Sequence, residues 1–221
     1  MQTLAEIEEL FRVPSPAPAN QALAADGTTL WMGSLETKRI YGVDSRQGRV
    51  FEENEAPGRP IGMCVVGDEL RVLCSENGKD DNRFIRRYIP GHGFKEKDKI
   101  APPDDTGSFV AYDGDMLYVS QRFNKRILTV DDKGNLIRVV AELPREITGM
   151  TIFGGCFYLA TSAGMDSGDY RITKVDARGG TPEIADLASV PFEARSITHD
   201  GQRFWTNQRW EAQFVAFRLP E

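Results

Sequence analysis

Arg39 to Asp44 reads RIYGVD, Arg126 to Asp131 reads RILTVD and Arg171 to Asp176 reads RITKVD. β-Branched side chains favour an extended, half-buried backbone, so the hexapeptide reads as a strand. Two looser copies, RFIRRY from Arg83 and QFVAFR from Gln213, complete the set. Ahead of each copy stands a turn glycine: Gly27, Gly67, Gly114, Gly154 or Gly201. Three residues later comes Leu30, Leu70, Leu117, Phe157 or Phe204, followed by Trp31, Arg71, Tyr118, Tyr158 or Trp205. The glycines are 40, 47, 40 and 47 residues apart, and the interval through both chain ends back to the first is again 47. Five diverged units therefore fill the 221 residues.

Each unit reads as four short strands, A to D: A ends at the turn glycine, B carries the apolar-aromatic pair, C is the hexapeptide, and D follows a polar turn. Prolines recur just ahead of the next strand A, at Pro57, Pro103, Pro144 and Pro191, where a missing N–H is harmless. A period near 40 to 47 with regular turn signals is the signature of propeller blades. The expected fold is all-β, a five-bladed β-propeller with four antiparallel strands per blade. It is one domain over residues 1–221, with blades at about 20–58, 59–104, 105–145, 146–192, and 193–221 plus 5–14. Strand A alternates a large set, Leu23, Met63, Val110, Met150 and Ile197, with a small set, Ala24, Cys64, Ala111, Thr151 and Thr198. Alternate side chains face opposite sides of a strand, so the large face of one blade can meet the small face of the next.

The fifth unit stops before any strand D. The stretch Glu8 to Pro14, EELFRVP, resembles the D segments VVAELP from Val139 and DLASVP from Asp186, so the N-terminus is expected to pair beside strand C of blade five and close the ring. A competing reading makes Leu4 to Phe11 an amphipathic helix, because LAEIEELF has good helix formers at helical spacing.

With the blades in register, the chain resembles the NHL, gluconolactonase-like and YncE-like propellers, most closely in DGDMLYVS from Asp113 followed by RILTVD from Arg126. The resemblance covers nearly the whole chain but works at the level of the blade. It implies fold and leaves binding modules, lactonases, lyases and scaffolds open. In blade number the chain is also similar to the plant-type glutaminyl cyclases, although no motif carries that activity over.

Twenty-seven basic against 33 acidic residues give a net charge of −6 with no long basic run, a poor footprint for nucleic acid. No segment suits a membrane span and the N-terminus does not read as a signal peptide, so a cytoplasmic protein with no membrane partner is expected. Cys64, Cys74 and Cys156 fit neither a disulfide framework nor a zinc spacing and read as reduced thiols. No HExxH, GxSxG, P-loop or EF-hand pattern is present. The oligomeric state is not set by these features.

Propellers usually bind ligands at the axial mouth formed by the D-to-A connections and B-to-C loops. His92 and His199 fall on the opposite face, which argues against a histidine base. The residues six before each turn glycine, Gln21, Ile61, Ser108, Thr148 and Arg195, should ring this mouth. Gluconolactonase-like enzymes hold an axial divalent cation on acidic and amide side chains. This ring has no carboxylate, so no cofactor or metal is expected, although Glu146 and Glu193 stand close enough to leave an axial calcium open. The loops after strand B are longer in blades two and four, SENGKDDN from Ser75 and TSAGMDSGDY from Thr161, and carry Glu76, Asp80, Asp81, Asp166 and Asp169 as candidate acids. Five arginines, Arg59, Arg122, Arg145, Arg195 and Arg209, should gather toward this face and suit carboxylate or phosphate. The alternative is that each is neutralised by a local acid such as Glu36, Glu146, Glu193 or Glu211. The ligand-binding candidates are Arg195, Gln21, Ser108, Thr148, Arg59, Gln121, Arg122, Asn207, Arg209 and Trp210, for a small anionic molecule or short peptide. An enzyme acting on a small molecule at the same pocket (a lactonase, a lyase or a cyclising acyltransferase) and a protein-interaction scaffold are the alternatives.

Overall fold

A computed structural model describes residues 4–77, 82–164 and 167–220. Five antiparallel sheets of four strands make up a five-bladed β-propeller. Blade one holds β2 (Asn20–Asp26), β3 (Thr29–Ser34), β4 (Arg39–Asp44) and β5 (Val50–Glu55). Blade two holds β6 (Arg59–Val66), β7 (Glu69–Ser75), β8 (Arg83–Ile89) and β9 (Gly93–Ile100). Blade three holds β10 (Phe109–Tyr112), β11 (Leu117–Gln121), β12 (Arg126–Val130) and β13 (Leu136–Glu142). Blade four holds β14 (Glu146–Phe153), β15 (Cys156–Ser162), β16 (Tyr170–Asp176) and β17 (Glu183–Val190). Blade five holds β18 (Ala194–His199), β19 (Phe204–Gln208) and β20 (Gln213–Arg218), completed by β1 (Glu8–Pro14).

The inner strands β2, β6, β10, β14 and β18 touch one another in a closed ring. The core is accordingly divided into five clusters, one at each blade interface. Strand alternation decides which cluster a residue joins. Leu23 packs toward blade five while Ala24 packs toward blade two, and Val110 and Ala111 divide likewise between blades two and four. Edge-to-face aromatic pairs cross these seams, such as Tyr118 with Phe157 at 4.9 Å and Trp31 with Tyr88 at 5.8 Å.

The turn between strands A and B is built around an aspartate in two blades. Asp113 accepts the N–H groups of Asp115 and Met116 on Oδ1 and the Tyr118 hydroxyl on Oδ2. Asp200 does the same with Gln202 and Arg203, and its Oδ2 accepts the Trp205 indole N–H at 2.8 Å. Burial alone would raise both carboxyls, but the donated hydrogen bonds outweigh it and hold them below the usual aspartate range.

β1 pairs antiparallel with β20 from Glu8 opposite Arg218 to Pro14 opposite Gln213. Residues 5–7 continue onto the next blade, where Ile7 N–H donates to Ser189 O at 3.0 Å and Ser189 N–H to Ala5 O at 2.8 Å. The helical alternative for LAEIEELF loses because two sheet edges offer backbone partners, and burial of Ile7 and Val13 offsets weak local propensity.

Register also corrects one repeat. Leu30 opposes Val43 and Leu70 opposes Tyr88, which puts Ile85, not Phe84, in the place of Ile40. The RFIRRY copy is therefore one residue out of step. Arg83 points to the sheet face opposite that of Arg39, because the side-chain period in a strand is two.

Candidate functional site: an arginine-lined axial mouth

β-Bulges build the mouth. In β2, Asn20 pairs with Ser34 and Ala22 with Gly33, so Gln21 is skipped. Ile61 in β6 and Thr148 in β14 are skipped in the same way, and the segment Arg195–Ser196 carries the extra residue of β18. Ser108 lies just outside β10 and donates its N–H to Ser120 O at 2.7 Å. A bulged residue leaves the alternating pattern and its side chain is re-aimed. All five residues line one axial cavity of about 220 Å³. The next position in the chain is glycine in two blades, because neighbouring backbones close in there. A Cβ on Gly62 would sit 2.6 Å from Ser108 O, and one on Gly149 would sit 2.6 Å from the carbonyl carbon of Ser196.

The B-to-C loops of blades one, three and five supply the rim. They share one backbone shape, with Lys38, Lys125 and Ala212 at φ of 54°, 53° and 49°. This makes Leu35, Arg122 and Arg209 equivalent, and all three line the cavity. The following residues, Glu36, Phe123 and Trp210, are exposed at the loop tips.

The lining contains Arg59, Arg83, Arg122, Arg195 and Arg209 and, among the described residues, no carboxylate. Among the described residues, carboxylates neutralise Arg122 and Arg195 from behind. Arg122 Nε donates to Glu146 at 2.9 Å, and Arg195 Nε donates to Glu193. Arg83 is buried and donates to Gly107 O. Arg209 is half-buried and has no hydrogen bond or ion pair from its guanidinium among the described residues, and the exposed Arg59 likewise has none. Burial lowers the pKa of Arg209, and the Arg195 and Arg122 cations lower it further against the pull of Glu193. The mouth thus holds an excess of positive charge where water is partly excluded, and charge interactions strengthen there. Thr148 Oγ1 adds a buried polar atom with no partner among the described residues. Tyr170, whose hydroxyl is raised by burial, has its ring 6.0 Å from the Arg195 guanidinium.

Seven of the sequence-predicted residues thus come together at the cavity: Gln21, Arg59, Ser108, Arg122, Thr148, Arg195 and Arg209. Gln121 and Asn207 do not line it. Gln121 donates to Pro103 O at 3.0 Å and accepts from Arg126 Nε at 2.6 Å, fixing the short 3-10 turn Pro103–Asp105. Asn207 donates to Asn20 O at 2.8 Å and accepts the Arg195 N–H at 3.0 Å, tying blade five to blade one. Trp210 stands outside the lining and is 82% exposed. Arg145 does not join the other arginines, because Asp169 holds it at 2.9 Å. Glu76 is paired with Arg86, and Glu211 with Arg12 rather than Arg209. Asp80, Asp81 and Asp166 lie outside the described residues. Among the described residues, no three His, Cys, Asp or Glu side chains are grouped so as to hold a metal. Arg83 was missed because its repeat was read one residue out of step.

The other end of the axis has a cavity of about 140 Å³ lined by the large and small inner-strand sets together with His199. His199 stacks on Phe153 at 3.6 Å between centroids, and burial lowers its pKa against the pull of Asp200.

Fold and mouth define the molecule as a β-propeller with an arginine-lined axial cavity. No family model matches the chain, and no curated protein matches its sequence. Among solved structures, it is similar to the glutaminyl cyclase of Myxococcus xanthus, with a TM-score of 0.74 at 11% identity over 99% of this chain and 98% of that one. It is also similar to the PQQ-bound aldose sugar dehydrogenase of Streptomyces coelicolor, with a TM-score of 0.60 at 13% identity over 97% and 98%. The hydrazine synthase of Kuenenia stuttgartiensis matches with a TM-score of 0.52 at 16% identity, over 86% of this chain and 62% of that one. At such identities the likeness concerns the fold. No helix among the described residues is long and apolar enough to cross a membrane.

Proposed function

We propose that the axial mouth binds a small anion, or the anionic end of a short peptide, through Arg209 and Arg195. The carrying observation is the Arg209 guanidinium, which has no partner among the described residues and is half-buried beside two further arginines. A planar fork of donors without a partner suits a carboxylate or phosphate. The cavity, at about 220 Å³, falls below the roughly 300–1,000 Å³ of ordinary small-molecule sites, which favours a head group over a whole peptide. The blade motif DGDMLYVS with RILTVD supports an NHL-, gluconolactonase- or YncE-like lineage for this binding propeller.

Calorimetric titration with phosphate, sulfate and propionate tests the reading. At least one should bind and raise the melting temperature by mass action. Arg209→Ala should weaken that binding by about 1.5–3 kcal/mol, the range for a hydrogen bond to a charged group. It is a cleaner probe than Arg195→Ala, which would leave Glu193 without its partner. Absence of binding by all three anions, or an affinity untouched by Arg209→Ala in a folded protein, overturns it.

A second reading, as a propeller enzyme, draws on the full-length likeness to a glutaminyl cyclase and on Glu193 and Glu146 behind the cavity arginines. An anion that engages Arg195 would release Glu193 to move a proton. Turnover of a glutaminyl peptide that Glu193→Gln abolishes would favour this reading over simple binding.

A further inference from the structure

The rim above the cavity is chemically mixed. Arg122 and Arg209 occupy the same place in loops of one shape, and each is followed by an exposed aromatic, Phe123 or Trp210. Phe123 is 60% exposed although it also lines the cavity, and the Arg122 guanidinium lies 5.2 Å from its ring centroid. A single exposed aromatic on a protein surface is ordinary. Two at equivalent loop tips, each beside an arginine that faces the same cavity, form a repeated arrangement of charge and flat apolar surface. The cavity has room for little more than a head group, so the rest of a ligand has to lie against this rim. At the third loop tip the carboxylate of Glu36 is exposed and would repel a second negative charge on that side.

Building on the anion-binding reading, we propose that the site takes a carboxylate carried on an aromatic or similarly flat apolar group. The carboxylate is held by Arg209 and Arg195, and the ring is covered by Phe123 and Trp210. Aromatic stacking and the neighbouring guanidinium both favour a flat π surface at that height.

Trp31 and Trp205 are 4% and 1% exposed, so the solvent-sensitive part of the tryptophan emission belongs to Trp210. Titration with 3-phenylpropionate and with propionate, by calorimetry and fluorescence, separates ring from head group. Inorganic phosphate serves as an anion with no apolar part. The phenyl acid should bind roughly five- to tenfold tighter than propionate and move the emission to shorter wavelength. In the Phe123→Ala/Trp210→Ala double variant the two acids should bind equally. Equal affinities in the unsubstituted protein, or a preference that survives in the double variant, overturn the aromatic assignment while leaving anion binding standing. Failure of all three probes to bind overturns the anion reading and this one with it.

Discussion

The two ends of the axial channel are made from the same five inner strands, yet they differ in kind. Toward the turn face the positions are near-equivalent: a large residue, a small one, then a tight turn that in two blades is locked to an aromatic by an aspartate. Toward the loop face the positions diverge completely, as Gln21, Ile61, Ser108, Thr148 and Arg195. What five blades must share to pack is confined to one half of each strand. The bulge marks the boundary, and beyond it a residue no longer has to fit a neighbouring sheet.

The contrast can be broken most severely where the ring closes. Removing residues 1–14 would strip β1 from β20, delete the buried Ile7 and Val13, and uncover the face of Trp205 that packs on Phe11 at 5.4 Å. Burial of a large aliphatic side chain is worth about 1.5–3 kcal/mol, so the truncated chain should be insoluble or melt lower by about 10 °C or more. Thermal unfolding of the truncation within a few degrees of the full chain would show that closure does not rest on β1.

A smaller loss is expected where the bulges bring inner strands together. Gly149→Ala should destabilise by about 1–3 kcal/mol, the usual range for overpacking. Gly164, where an added Cβ would meet nothing within 4 Å, serves as the control for substitution by alanine. Equal urea midpoints for the two variants would mean that the strands at the axis yield without strain.

The turn face can be weakened selectively by acid. Asp113 and Asp200 have depressed carboxyl pKa values in the fold, so their contribution is present above the ordinary aspartate range and is lost as pH falls through the lower, folded value. Asp200→Asn should cost about 1–2 kcal/mol at pH 7, with the gap to the unsubstituted protein narrowing as pH falls below the ordinary aspartate range. A gap that does not change with pH would remove the charge of Asp200 from the clamp. At the loop face, by contrast, Arg209→Ala should leave stability almost unchanged, because among the described residues that side chain has no partner to lose.

The turn-face half of this division was legible from sequence and the loop-face half only in part. Glycines, apolar-aromatic pairs and the Ile40, Ile127 and Ile172 column repeat because packing demands them, so the blades and their closing strand could be counted. Ring residues could be placed by offset from those glycines. Whether an arginine there is neutralised could not, because that depends on acids reached through folding: Glu146 for Arg122, Glu193 for Arg195, Asp169 for Arg145, and, among the described residues, none for Arg209. Gln121 and Asn207 stand one and two residues before Arg122 and Arg209 in sequence but spend their amides on other connections and blades. Arg83 was hidden by a one-residue offset that a strand converts into a reversal of face.

Ring closure by the chain's opposite ends also sets a schedule for synthesis. Glu8 pairs with Arg218, so β1 leaves the ribosome well before its partner β20 and has to wait for it. At about 5–20 residues per second the wait for some 200 residues is roughly 10–40 s, far longer than a hairpin needs to form. Blades one to four can assemble during that interval, but the fifth cannot, and the apolar side of β1 stays uncovered until β20 has been made. The propeller therefore cannot close until β20 has emerged, and β1 is most exposed to aggregation in the interval before that.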